Sequence, residues 1–491
     1  MGGKQRYRRL LWLLLALLVG AVAYAMGARV PRLISREPGP GSGDATSLRQ
    51  VSQGANVVIC VIDAARADHV TCYGYPRETA PNINRLREES VLFEQHFTQS
   101  SSTKSSTTSL LTSQYQDTHL SFDMRILPDS AVTLERCLSE AGLCTVLFSS
   151  NPEASPWAGI CRDFDEAFHQ PQIGAHVADQ ADLFRPEPLV DLIARWLESN
   201  RRERFFAYIH FMPPHLPYAA PDEMKMLSIA DGEPEYQVGE FEFPQVADSR
   251  NPRKVPALPG WITLYDANVR YGDWAVGEVV RLLREHRLLD NTILIVTSDH
   301  GEAFGEHGYV WHGSSVYEET IHVPLLIRFP RGHLGGKRIS SLTQSIDLMP
   351  TVLDLLGLSA PEAELQGRSC VPLLTGEEQK INDYVFARSL GEDSCYMVWG
   401  TEAALLLYDD GSRRALYDLR TDPGQTRNIA SEDPARVEEL TKVFLAHARR
   451  QRFPPLHFAD PEAPPPALPE TPQIEMNALQ RAQLRALGYL K

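Results

Sequence analysis

The sequence has no surplus of positive charge. Its 48 Lys and Arg stand against 63 Asp and Glu, a formal net charge of −15. That balance argues against a protein that grips the phosphate backbone of nucleic acid, and no nucleic-acid partner is expected. A small anionic substrate is still compatible, because a bound cation can set the field of one pocket. Cysteine is sparse and odd in number, seven in all, so at least one thiol is unpaired. None of these cysteines stands in the CxxC spacing of a thiolate metal site, and pairing cannot be read from their positions. Cys60, inside an apolar strand, reads as a small core residue. Internal repeats are absent as well. What remains is a chain of 491 residues, 43% hydrophobic and 23% charged. Its composition is that of a globular protein, and its length is that of one large domain with a smaller companion.

The amino terminus differs from the rest. Lys4, Arg6, Arg8 and Arg9 precede an uncharged, mostly apolar run from Leu10 to Ala28. The run is long enough to cross a bilayer, with its basic flank on the cytoplasmic side. A cleaved signal peptide is the alternative, with Ala21-Val22-Ala23 or Ala23-Tyr24-Ala25 as the cleavage site. The length of the run favours an anchor. Either way the remainder is expected outside the cytoplasm: membrane-anchored in the periplasm or at the cell surface, or secreted if the segment is removed. Pro38 to about Asn56 is rich in Pro, Gly, Ser and Ala and reads as a tether.

The chemistry gathers around Ser298-Asp299-His300-Gly301. Thr292 to Val296 is an unbroken apolar and β-branched run, the pattern of a buried strand. It delivers Asp299 and His300 to its carboxyl end, where open α/β sheets bind ligands. A carboxylate beside an imidazole suits a borderline divalent cation. His307, His312 and His322, with Glu302 and Glu306, follow closely and strengthen the metal reading. Val57 to Ile62 is a second buried strand, ending on Asp63, which can share the ion if the two strands are neighbours. Phe205 to Ile209 is a third, and it runs into His210 and His215 among three prolines.

Between these strands lie helical patterns from Thr133 to Ala141, Val190 to Leu197 and Tyr265 to His286. Strand and helix alternate, so the expected fold is α/β with a mainly parallel sheet. Ser100 to Ser113 is dominated by hydroxyl residues, yet Phe93, Phe97, Leu110 and Leu111 enclose it. It reads as a turn entering a helix whose first turn can hold an anion. Pro221 to Leu258 reads as an insertion or lid. Beyond residue 380 the alternation changes to period two, with a hairpin signal at Asp409-Asp410-Gly411-Ser412, then a helix from Ala435 to Arg449 and a Pro-rich arm from 454 to 472. The expected divisions are an anchor or signal over 1–28, a linker over 29–55, a catalytic domain over 56–380, a small α+β unit over 381–450 and a tail over 451–491.

Several stretches together resemble the sulfatase family of the alkaline phosphatase superfamily: Asp63, Cys72-Tyr73-Gly74-Tyr75, Ala80-Pro81-Asn82-Ile83-Asn84-Arg85-Leu86, Leu110-Leu111-Thr112, Thr297-Ser298-Asp299-His300-Gly301 and His322-Val323-Pro324-Leu325. Leu416 to Pro423 resembles the family's C-terminal subdomain, and the likeness runs in matching order from about residue 56 to 450. The resemblance implies an alkaline-phosphatase-like α/β fold with a small C-terminal antiparallel sheet. It implies a divalent metal (Zn, Mn, Ca or Mg) held by Asp63, Asp299 and His300 together with the nucleophile. The family's nucleophile lies seven positions before Leu110-Leu111-Thr112, which here is Thr103. His215 resembles the histidine that contacts the transferred group, and His312 falls where sulfatases carry lysine and membrane phosphoethanolamine transferases carry histidine.

The departures from that pattern bear on the reaction. Sulfatases place Cys or Ser at the nucleophile for oxidation to formylglycine, and threonine cannot give that aldehyde because its β-carbon carries a methyl group. Ala64 stands where a second metal carboxylate is usual, and Thr107 where an arginine is usual. These residues resemble the Thr-nucleophile relatives, the phosphoglycerol and phosphoethanolamine transferases and phosphodiesterases. The expectation is therefore a metal-dependent hydrolase or transferase of phosphate esters and phosphodiesters, with no formylglycine. Thr103 would attack, and His215 and His312 would assist. The substrate would be an anionic ester, lipid- or glycan-linked. A sulfatase that acts without formylglycine is the alternative, and an inactive anion-binding relative is a third.

Overall fold

An eight-stranded sheet runs through the middle of the computed structural model, which describes residues 45–122, 125–169, 185–216, 218, 220–228, 259–360, 365–390, 393–409, 411, 413–451, 453 and 473–474. In chain order its first strands are β1 (Asn56–Ile62), β2 (Val91–Phe97), β3 (Cys144–Ser149), β4 (Glu166–Phe168), β5 (Phe205–Phe211) and β6 (Thr292–Thr297). A small ribbon of β7 (Ala303–Phe304) and β8 (Val310–Trp311) follows, and β9 (Leu325–Arg328) and β10 (Arg338–Gln344) complete the large sheet. The order across it is β10-β2-β9-β6-β1-β5-β3-β4. Every pairing is parallel except those of β9, which lies antiparallel to β2 and β6. The chain leaves β6 at its carboxyl end, builds the loops of residues 298–324, and re-enters at the same end, so β9 must run backwards.

Burial on both faces explains the uniformly apolar strands. In β1 the side chains of Val57, Ile59 and Val61 join one core with Phe206, Tyr208, Ile293 and Ile295. Val58, Cys60 and Ile62 point the other way and join a second core with Ala207, Ile209, Leu294 and Val296. Each such side chain contributes roughly 1.5–3 kcal/mol when fully buried. The helices that cover the sheet are α1 (Ala45–Ser52), α2 (Pro81–Leu86), α3 (Thr103–Thr112), α4 (Leu134–Glu140), α5 (Pro186–Asn200), α6 (Pro259–Glu285) and α7 (Leu348–Leu356). Thr133 caps α4 by accepting from the Arg136 N–H, and Gly357 ends α7 in the left-handed region. Helix α6 begins before the Tyr265 start expected from its apolar stripe.

A smaller antiparallel sheet follows, β11 (Val385–Arg388), β12 (Cys395–Trp399), β13 (Ala403–Tyr408) and β14 (Arg414–Asp418). Helix α8 (Pro434–Arg450) lays Leu440 and Phe444 on Leu405, Leu407 and Leu416 of that sheet. The Arg388 N–H donates to the Gln99 carbonyl at 2.9 Å, which ties β11 to the segment entering α3. All seven cysteines are free thiols. Among the described residues no helix is long and apolar enough to cross a membrane. The expected anchor at Leu10–Ala28, most of the 221–258 insertion and the 454–472 arm lie outside the described residues; of the insertion, Asp222–Ser228 is helical.

Candidate active site

Four adjacent strands deliver the site. Val61 of β1 pairs with Thr297 of β6 and with His210 of β5, and His210 pairs with Ser149 of β3. The carboxyl ends therefore bring Asp299 and His300, Asp63, His210 and Asn151 to one edge. Gly301 is required next to His300, because a Cβ there would sit 2.1 Å from the Glu319 carbonyl oxygen. A residue with a side chain would push the loop off its seat.

Thr103 arrives from α3. Ser102 precedes this helix in an extended conformation without capping it through its side chain, and Thr103 is the first helical residue. All ten residues of α3 are buried. Three of the hydroxyls are accommodated by local bonds: Thr108 and Thr112 donate to the carbonyls of Lys104 and Thr108, and Ser106 donates to the Ser100 carbonyl, each at 2.7 Å. That is why a serine- and threonine-rich stretch forms a packed helix here rather than a linker.

The ligand atoms of Asp63, Asp299 and His300 all lie within 4.8 Å of one another, and all three residues are buried. His300 Nε2 is 3.7 Å from Asp63 Oδ1 and 3.4 Å from Asp299 Oδ2. Thr103 Oγ1 lies 3.1 Å from the same nitrogen. Asp63 Oδ1 and Asp299 Oδ2 are buried with no hydrogen-bond partner. Two orphaned carboxylate oxygens facing an imidazole nitrogen are costly without a cation, so these residues fit a divalent ion.

Three histidines are each anchored through Nδ1. His300 Nδ1 donates to the Gly301 carbonyl at 2.9 Å and His215 Nδ1 to the Leu216 carbonyl at 2.6 Å. His312 Nδ1 pairs with Glu302 Oε1 at 2.9 Å. With Nδ1 of His300 bound to a carbonyl, its Nε2 is the atom that faces Asp63, Asp299 and Thr103. The His312 ring lies between the other two, with centroids 4.2 Å from His300 and 4.9 Å from His215.

The charges are set by burial and by one another. Burial pushes the Asp63 carboxyl up, but His215, His210 and His300 outweigh it and hold the group below the usual carboxylate range. Burial alone would lower His300, yet Asp299 and Asp63 raise it. His215 is lowered by burial, against the pull of Asp63. Burial, helped by His300, takes His312 down to about 3, so its ring is neutral near pH 7. Glu302 is pushed up to about 7 by burial.

Asp63, Thr103, His215, Asp299, His300 and His312 are thus gathered in one place. His307 and His322 are not among them. His307 Nδ1 meets Glu319 at 2.8 Å while its Nε2 meets the Gly424 and Gln425 carbonyls at 3.1 Å. His322 is held in the same manner by Glu318 and the Glu94 carbonyl. With an acceptor on each nitrogen these rings are cross-links and offer no lone pair to an ion. Sequence reasoning missed Asn151, whose Nδ2 bonds Asp63 Oδ2 and lies 3.4 Å from Thr103 Oγ1. Nothing in Ser149-Ser150-Asn151-Pro152 distinguishes it from an ordinary loop residue. His210 was legible only as a histidine at a strand exit, without its partner.

The sequence-family model described as Sulfatase matches residues 55–358, and one described as N-sulphoglucosamine sulphohydrolase, C-terminal, matches residues 305–451. Arylsulfatase K of Xenopus laevis is 34% identical over 191 residues, covering 36% of this chain and 35% of that protein. The match therefore spans about a third of that relative. Among solved structures, the phosphonate monoester hydrolase of Agrobacterium radiobacter superimposes with a TM-score of 0.67 at 20% identity, covering 81% of this chain and 96% of the other. A protein solved with its substrate D-glucosamine-2-N,6-O-disulfate superimposes with a TM-score of 0.66 at 18% identity, covering 81% and 98%.

Proposed function

The chain belongs to the sulfatase family and has its alkaline-phosphatase-like α/β fold, and from that premise we propose that it is a divalent-metal-dependent hydrolase of sulfate esters acting without formylglycine. The observation that carries the reading is the pair of orphaned oxygens on Asp63 and Asp299 beside His300 and Thr103. The likeness to arylsulfatase K favours sulfate over the phosphodiester expected from the sequence. A sulfated saccharide is the favoured substrate class, by analogy with the disulfated glucosamine bound in a structural neighbour. The basic flank and apolar run at Leu10–Ala28 support a position outside the cytoplasm.

Asp63, Asp299 and His300, with Thr103, would hold the ion, and when bound it would supply Lewis-acid stabilisation of negative charge on the ester group. One imidazole nitrogen among oxygen donors favours Zn²⁺ or Mn²⁺ over Ca²⁺. The α3 N-terminus, His215 and His312 would stabilise the charge that develops on the ester oxygens. Thr103 Oγ1 attacks sulfur, the ester oxygen departs with a proton, and water then cleaves the sulfothreonine to sulfate and free Thr103. Neutral His312 is in the form that accepts the attacking proton and passes it to the departing alcohol.

A second reading keeps the same residues and changes the atom attacked. Threonine at the nucleophile position suits phosphoryl transfer, in which an alkoxide attack and a phosphothreonine need no aldehyde. The metal-loaded protein assayed on sulfate esters, phosphomonoesters and phosphodiesters separates the two. Sulfate esters turned over fastest support the proposal, and phosphodiesters turned over far faster would replace it with the second reading.

A further inference from the structure

Each carboxylate of the cluster is held by one oxygen and open at the other. Asp299 Oδ1 accepts from the backbone N–H groups of Ala64 at 3.1 Å and His300 at 3.0 Å, and its Oδ2 is orphaned. Asp63 repeats the pattern with side chains as donors. Its Oδ2 accepts from Asn151 Nδ2 and from His210 Nε2, the latter at 3.0 Å, and its Oδ1 is orphaned. Asn151, His210 and Asp63 are all fully buried, so water does not compete for these bonds. The Asp63 carboxylate can only accept, so His210 donates through Nε2, and its Nδ1 lies 3.5 Å from the Tyr208 hydroxyl.

We propose that Asn151 and His210 form a positioning pair that occupies one oxygen of Asp63 so that it meets the cation through the other. This rests on the metal-centre reading above. The amide of Asn151 has two N–H bonds, and the second reaches toward Thr103 Oγ1 at 3.4 Å. Asn151 therefore links the ligand to the nucleophile, whereas His210 Nε2 faces the carboxylates, 3.0 Å from Asp63 Oδ2 and 3.7 Å from Asp299 Oδ2. The reason for such a pair lies at Ala64: with no carboxylate there, two acids and one imidazole must fix the ion, and a freely rotating Asp63 would hold it poorly. Partners that orient metal ligands typically change affinity by about 10- to 100-fold when removed.

The difference in roles gives the test. Affinity of the full-length protein for Zn²⁺ and Mn²⁺ is measured by competition with a chromogenic chelator for the wild type, Asn151→Leu, His210→Phe and His210→Gln. Melting of each metal-free protein serves as the folding control. Asn151→Leu and His210→Phe should bind about 10- to 100-fold more weakly, and His210→Gln, which keeps an N–H donor, should recover part of the loss. At saturating metal His210→Phe should regain most of the wild-type kcat, while Asn151→Leu should stay low in kcat with KM little changed. If His210→Phe does not fold, His210→Gln and Asn151→Leu carry the comparison. Wild-type affinity in folded variants overturns the pair alone. A wild type that binds neither ion overturns the metal centre and the pair with it.

Discussion

Glu302 Oε1 lies 2.9 Å from His312 Nδ1, and the Glu302 carboxyl is fully buried. In its ionised form this carboxylate accepts the Nδ1 proton and so sets the tautomer of the His312 ring. Glu302→Gln removes the charge and lets the ring adopt the opposite tautomer. Its kcat should fall by about 10- to 100-fold, in the range of other partners that fix a histidine, with the fold retained. His312→Ala should cost at least as much, and the double variant should be little worse than His312→Ala. A double variant whose losses multiply would show that Glu302 acts independently of His312.

Thr103 decides the covalent step. Thr103→Ala should reduce turnover by roughly 10³-fold or more, while Thr103→Ser should retain part of it because the hydroxyl survives. Mass spectrometry of enzyme quenched during turnover should find the adduct on the peptide containing Thr103. An adduct on Ser101, Ser102, Ser105 or Ser106 instead would move the nucleophile.

Metal content follows from the donor set. The purified protein should carry a single Zn²⁺ or Mn²⁺ by elemental analysis, and a chelator should abolish activity reversibly. Asp63→Asn and Asp299→Asn should each lose the ion. Full activity in exhaustively metal-free protein would exclude the centre.

Glu135 provides a pH test away from the site. Burial pushes its carboxyl up to about 8 from an ordinary value near 4.5. The unfolded chain gives up this proton first, so between these values the folded state binds more protons and stability falls as pH rises. The effect is on the order of a few kcal/mol, at about 1.4 kcal/mol per unit. Urea melts at pH 5 and pH 8.5 should show Glu135→Gln less pH-sensitive than the wild type and more stable at the higher pH. Parallel losses in both proteins would mean that Glu135 ionises at its ordinary value.

The Leu10–Ala28 segment predicts topology. A reporter fused after residue 45 should be active only outside the cytoplasm, and the protein should stay with membranes through an alkaline wash. Quantitative release of a shortened form would identify a cleaved signal instead.

The sequence by itself determined the strands that organise the fold. Val57 to Ile62 and Ile293 to Val296 are apolar at every position, the pattern of strands buried on both faces of a sheet. It also placed Asp63 and Asp299 at strand ends, because a polar residue closing such a run marks where the strand leaves the core. The helix around Thr103 was legible from the apolar residues that flank it. Tertiary structure decided which of these residues meet. The order β6-β1-β5-β3 is not encoded in any local period, yet it puts Asn151 beside Asp63 and Thr103 although 88 and 48 positions separate them in the chain. The same holds for the histidines. His307 and His312 stand five residues apart in one glycine-rich loop, and sequence gives both the same promise as ligands. In the fold, both nitrogens of His307 are spent on Glu319 and two carbonyls, while the His312 ring lies between His300 and His215 with its Nδ1 on Glu302. A side chain's chemistry is fixed by which of its atoms are already bonded, and those partners come from distant segments that only the folded chain brings within hydrogen-bond reach.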